Sequence, residues 1–154
     1  MENINAAIKE KFSGLLFFLR RSKTEFEMVA DEMEDHSLRA ALNLLSDESC
    51  CYAGELKSHL KAFGIYNVSP ETQMWDPVSD YELNPLGEGK GNELQLICTH
   101  NEESLTKAYS ELLAEALPVQ VLKDIMLYQL NALKYTFMKI RALNCARFSS
   151  YPAV

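Results

Sequence analysis

Two apolar stripes of helical period, separated by three residues, fill the chain up to Phe63. Ile8, Phe12, Leu15, Leu19, Phe26, Ala30 and Met33 recur at the spacing of one helix face. Leu38, Leu42, Leu45, Ser49, Tyr52, Leu56, His59 and Phe63 do the same. A connection as short as Asp35-His36-Ser37 allows the second helix only to fold back antiparallel on the first. Ser37 is the expected N-cap, with no Glu or Gln three residues later to complete a capping box. Gly64 is the expected residue just past the second helix. The spacing predicts helices over about residues 4–34 and 38–63. Ser22 and Lys23 interrupt the first stripe, Gly14 is a mild defect worth about 1 kcal/mol relative to Ala, and Glu25 projects roughly 120° away from it.

Beyond Gly64 the period is lost from Ile65 to Asn92, a stretch holding Pro70, Pro77 and Pro85 and then Gly87, Gly89 and Gly91. Trp75, Tyr81 and Leu83 are expected to pin this crossover to the body of the protein, with a short helical turn around Gln73 to Trp75. The helical period resumes over about residues 93–116 and, after Leu117-Pro118, over about 118–145, Pro118 sitting in a first turn where it is tolerated. The third stripe gathers Cys98, Asn101, Glu102, Leu105, Tyr109 and Leu112. The fourth gathers Leu122, Met126, Leu130, Leu133, Phe137 and Ile140, with Gln129 inside it. Arg147 to Val154 reads as a frayed tail. The sum is one all-α domain over residues 1–154: two antiparallel helical hairpins joined by a long crossover, an antiparallel four-helix bundle.

The hydrophobic content of 47% suffices for a globular core at this length. A formal charge of -7 argues against nucleic acid and anionic membrane as partners. Leu15-Leu16-Phe17-Phe18-Leu19 is too short to span a bilayer. Cys50, Cys51, Cys98 and Cys145 show no C-x-x-C spacing and read as free thiols, so a cytoplasmic location is expected. The start of the chain lacks the basic region and small-residue cleavage site of a secretory leader. His36, His59 and His100 have no His or Cys three or four residues on, which argues against zinc. Gly87-Glu-Gly-Lys-Gly lacks the strand and the Lys-Ser/Thr ending of a phosphate loop.

The unusual residues are the polar ones on buried stripes. A carboxylate on the buried side of a helix, Glu102, demands a partner. Counting back from the two turns places Lys23, Glu48, Tyr52, Glu102 and Gln129 near one level, with Ser22 beside them. This predicts a polar core layer in which Lys23 pairs with Glu48 or Glu102, and Tyr52 and Gln129 supply hydrogen bonds. Cys98, central on its stripe, reads as a small core hydrophobe.

Cys98, Glu102 and Tyr109 form a Cys-x-x-x-Glu followed by a Tyr seven residues after the Glu. With Leu117-Pro118, Gln129, the Ala62-Phe63-Gly64 helix ending and Trp75, the chain resembles bacterial ferritin-like four-helix-bundle proteins of uncharacterised function over about Thr24 to Leu143. The resemblance implies a ferritin-like fold. Di-metal members of that fold use a Glu from two helices and a Glu-x-x-His from the other two. Here no Glu-x-x-His exists, Cys51 follows Glu48 by three, and Phe137 stands where the resembled family often has His. Iron or another divalent metal, if bound, is expected at Glu48 and Glu102, but no cofactor is the favoured expectation. A non-catalytic structural or interaction protein is therefore expected ahead of a degenerate di-iron or metal-binding protein with an oxidase or storage role, and ahead of a small-ligand binder in the bundle core. Outward aromatics Phe17, Phe18, Tyr128 and Tyr135 point to a homo-oligomer or an unidentified protein partner.

Overall fold

The computed structural model describes residues 6–66, 68, 90–117 and 119–147. Among them are four helices and no strand: α1 (Ala6–Asp31), α2 (His36–Ala62), α3 (Lys90–Leu113) and α4 (Gln120–Arg147). The expected pinning of the crossover by Trp75, Tyr81 and Leu83, the turn near Gln73, the placement of Pro118 and the tail from Phe148 onward lie outside the described residues.

The ends of α2 follow from local chemistry. Asp35, in extended conformation, accepts from the Leu38 N–H through Oδ1 at 2.9 Å and is the N-cap in place of the expected Ser37. Asp35 prevails because its carboxylate reaches the third amide of the helix, which leaves Ser37 inside the first turn. At the other end Gly64 adopts φ 79°. Its N–H donates to Lys61 O and that of Ile65 donates to Leu60 O, which satisfies two terminal carbonyls and needs the residue without a Cβ. The remaining boundaries move by two or three residues from the stripes. α1 stops at Asp31, since Glu32 and Met33 turn off through single amide bonds to Val29 and Ala30. α3 begins at Lys90 and ends at Leu113.

α1 packs on α2 and α3, and α4 packs on the same two helices, so the diagonals are α1/α4 and α2/α3. Interhelix bonds fix the directions. Lys11 meets Glu115, Arg21 meets Ser104 and Ser22 meets Asn101, so α1 and α3 are antiparallel. Gln129 meets Glu55 and Thr136 meets Glu48, so α2 and α4 are antiparallel as well. Every neighbour is antiparallel, and the diagonal pair α2/α3 is parallel. The end of α2 and the start of α3 therefore lie at opposite ends of the bundle.

The core runs along the axis between all four helices. Phe12, Leu15, Leu19 and Phe26 of α1 meet Leu38, Leu42, Leu45 and Leu56 of α2, Ile97, Leu105, Tyr109 and Leu112 of α3, and Leu122, Met126, Leu133, Phe137 and Ile140 of α4 in one buried cluster. Phe26 and Phe137 touch edge to face across the diagonal, with centroids 5.8 Å apart.

Candidate functional site: the polar layers of the bundle

A fully buried carboxylate sits on the α1–α3 seam. Glu25 is 0% exposed. Its Oε1 accepts from Asn101 Nδ2 at 2.8 Å, the same amide donates to Ile97 O at 2.9 Å, and Asn101 Oδ1 accepts from the Ser22 hydroxyl at 2.9 Å. One turn along, buried Arg21 lays its guanidinium 5.0 Å from the Phe18 ring centre and donates to Ser104 Oγ at 3.1 Å. Glu25 was expected to turn away from the core. The angle of roughly 120° from the apolar stripe is right, but it points at α3. A helix with two neighbours buries a wider arc than its apolar stripe marks, and here polar side chains fill the second half of that arc.

A second layer joins α3, α4 and α2. The buried Tyr109 hydroxyl donates to Gln129 Oε1 at 2.9 Å. Gln129 Nε2 then donates to Glu55 Oε1 at 3.0 Å and to the Tyr52 main-chain carbonyl at 3.3 Å. Gln129, expected in the polar layer, is thus the bridge between three helices. Tyr52 takes part through its carbonyl, while its ring meets Tyr128 edge to face at 6.3 Å. Burial raises the ionisation of both tyrosines out of any physiological range, so they act as hydroxyls.

The two carboxylates singled out as metal ligands lie on different seams. Glu48, half-buried between α2 and α4, accepts from the Thr136 hydroxyl at 2.7 Å. Burial raises its carboxyl, and hydrogen bonds from Thr136 and Tyr52 pull in the opposite direction. Glu102 is ion-paired with Arg141 across α3 and α4. Among the described residues no three His, Cys, Asp or Glu side chains gather as a ligand set. Among the described residues the donor set does not fit a di-metal centre: each carboxylate is engaged by a side chain of its own seam. Lys23 is not part of any core layer. Its ammonium lies 2.9 Å from Glu27, one turn away on the same helix and half exposed, and that contact raises its ionisation. The apolar stem of a lysine permits a position near the stripe with the charge in water.

Arg21, Ser104, Thr136 and Arg141 had not been singled out. The available signals were spacings: Arg21 and Glu25 are one turn apart, and Thr136 follows Gln129 by seven residues and so shares its side of α4. The partners on facing helices leave no such local trace.

The cysteines are all free. Cys50, Cys51 and Cys145 are exposed, and Cys98 is buried. Burial pushes the Cys98 thiol up to about 12, with Glu102 adding to the rise and Arg141 opposing it. Cys98 is therefore a core packing group.

A groove of about 340 Å³ opens on the outer side of the α1–α3 seam, lined by Lys11, Gly14, Phe18, Ser104, Lys107, Ala108 and Glu111. Gly14 and Ala108 both line it, and a Cβ at Gly14 would meet nothing within 4 Å. On the far side of the molecule, α4 exposes Val121, Leu127, Tyr128, Tyr135 and Met138. Among the described residues no helix is long and apolar enough to cross a membrane.

The fold and these layers define an all-α four-helix bundle with hydrogen-bonded polar seams. No family model, curated protein or solved structure matches the chain.

Proposed function

We propose that this chain is a ferritin-like bundle without a working di-metal centre, a non-catalytic structural or interaction protein of the cytoplasm that associates with itself or with another protein through its surface. The observation that carries this reading is the closure of the polar layers on the chain's own residues. Glu102 is engaged by Arg141, Glu48 by Thr136, and Gln129 by Tyr109 and α2. Polar groups already satisfied across seams specify helix register and leave little to offer a substrate. Two hairpins joined by a long crossover support the ferritin-like part of the proposal, and the exposed apolar residues of α4 support the interaction part.

The test is elemental analysis of protein expressed with added iron. The expected result is less than about 0.1 metal atom per chain, unchanged in Glu102→Ala. About one or two iron or manganese atoms per chain, lost in Glu102→Ala, would overturn the reading in favour of a degenerate metal-binding protein.

The α1–α3 groove favours one second reading, a small-ligand binder. The pocket lies on the outer face of the polar layer, where Phe18 and Ala108 offer apolar contact and Lys11, Lys107 and Glu111 offer charge. A thermal-shift screen of amphipathic acids, with Gly14→Phe to fill the groove, tests it. Hits abolished by Gly14→Phe support it, and a screen without hits removes it.

A further inference from the structure

α4 carries an exposed stripe whose parts repeat every seven residues. Tyr128 and Tyr135 are each 65% exposed, and Val121 continues the row at the same spacing. Seven residues bring a helix back to within about 20° of its starting direction, so Val121, Tyr128, Tyr135 and Ala142 form one row along the outer side. Asp124, Asn131 and Lys139 sit in the same sector, within about 80° in all, opposite the buried Leu130, Leu133 and Phe137. Tyrosines presented in this manner are the anchors that interfaces favour: large, stiff, and polar only at the tip.

The charges select the occupant. α4 has a single acid, Asp124, and both Asp124 and Lys139 are exposed. A two-fold axis passing between two copies of the helix, perpendicular to both and level with the point between residues 131 and 132, sets 128 opposite 135, 124 opposite 139 and 121 opposite 142. Each Tyr128 then faces Tyr135 of the second copy. Each Asp124, whose Oδ1 accepts from Gln120 of its own helix at 3.2 Å, faces Lys139 of the second copy. A parallel pairing would instead set Lys139 against Lys139 and Asp124 against Asp124, which repels. The stripe is thus complementary to itself in one orientation, as a two-fold interface demands.

We propose that the outer face of α4 is a homodimer interface in which two copies pair α4 antiparallel about the level of Asn131. This interface rests on the interaction reading above and specifies its partner as a second copy of this chain.

Three measurements on the full chain decide it. In a background of Cys50→Ser, Cys51→Ser and Cys145→Ser, which removes the exposed thiols, Asn131→Cys lies beside its own copy. Mild oxidation is expected to give a covalent dimer, whereas Lys107→Cys on the α1–α3 face stays monomeric. In sedimentation, Asp124→Lys is expected to weaken dimerisation about tenfold, and Asp124→Lys combined with Lys139→Asp to restore it to within about threefold. Circular dichroism is expected to be the same for all of these surface variants. An oligomer that neither cross-links at Asn131→Cys nor responds to the charge reversals overturns this interface and leaves self-association through another face. A protein monomeric to about 100 µM also overturns it and assigns the stripe to a partner of different sequence. The interaction reading itself falls on the metal analysis, an independent readout.

Discussion

The bundle has two kinds of seam. α1–α2 and α3–α4 are joined by short connections, whereas α1–α3 and α2–α4 are brought together by no short loop; the contrast is sharpest between α1–α2 and α1–α3, because the α3–α4 hairpin carries side-chain bonds of its own, Tyr109 to Gln129 and Glu102 to Arg141. Across the linked α1–α2 seam, the Ser46 hydroxyl donates to Lys23 O, and the Arg39 guanidinium donates to Ala30 O and Met33 O, main-chain groups near the turn. Across the unlinked α1–α3 seam, side chains bond side chains: Ser22, Glu25 and Asn101 deep in the bundle, then Arg21 and Ser104, and nearer the surface Lys11 and Glu115 at 2.5 Å. The four-residue connection at 32–35 sets the register of the α1–α2 hairpin without requiring a buried pair of polar side chains. A pair of helices distant in sequence has no such constraint, and an apolar seam tolerates sliding by a turn. Directional bonds between unlike groups remove that freedom, because a slip leaves a buried polar atom unpaired.

The contrast can be broken most severely at Asn101. Asn101→Leu removes the amide that donates to buried Glu25 and is expected to cost about 3 kcal/mol in urea unfolding. Adding Glu25→Leu is expected to return much of that loss, because a packed apolar pair can replace a polar one. Ser46→Ala, on the linked seam, is expected to cost only about 1 kcal/mol. Equal losses at the two seams would end the distinction. Gln129→Leu comes next, at about 2 kcal/mol, since it leaves the buried Tyr109 hydroxyl without its acceptor and separates α4 from Glu55.

The smallest effect is a pH dependence on the α2–α4 seam. Glu48 is raised in the folded state by burial, so between the ordinary carboxylate value and its raised one the folded chain keeps a proton that the unfolded chain has lost. Its contribution is therefore present at low pH and fades as pH rises through that window. Glu48→Gln is expected to flatten this part of the stability–pH curve, measured by urea unfolding between about pH 4 and 7. An unchanged curve would show that the carboxyl titrates alike in both states.

The four helices were legible because apolar residues at helical spacing mark one face of each, and Gly64 was legible because a helix end of this kind requires a positive φ that glycine adopts freely. Tyr109, Gln129 and Cys98 were legible as buried for the same reason. Partners were a different matter. Glu102 was read as needing a partner, and the candidates were Lys23, Tyr52 and Gln129. The structure supplies Arg141, because α3 and α4 adjoin at that level, and it leaves Lys23 with Glu27 at the surface.

The sequence alone determined the four described helices, most of the stripe each buries (Phe63, read into the stripe of α2, is exposed), and that the hairpins fold back on themselves. These are local consequences of periodicity, capping and turn length. The tertiary structure alone decided which helices are neighbours and which diagonal, and hence that Glu25 faces α3, that Asn101 receives it, and that Glu48 and Glu102 lie on separate seams. A periodicity states only the direction in which a side chain points. What it meets there depends on the packing of helices remote in the chain, and both hydrogen bonding and charge pairing act only at contact distance.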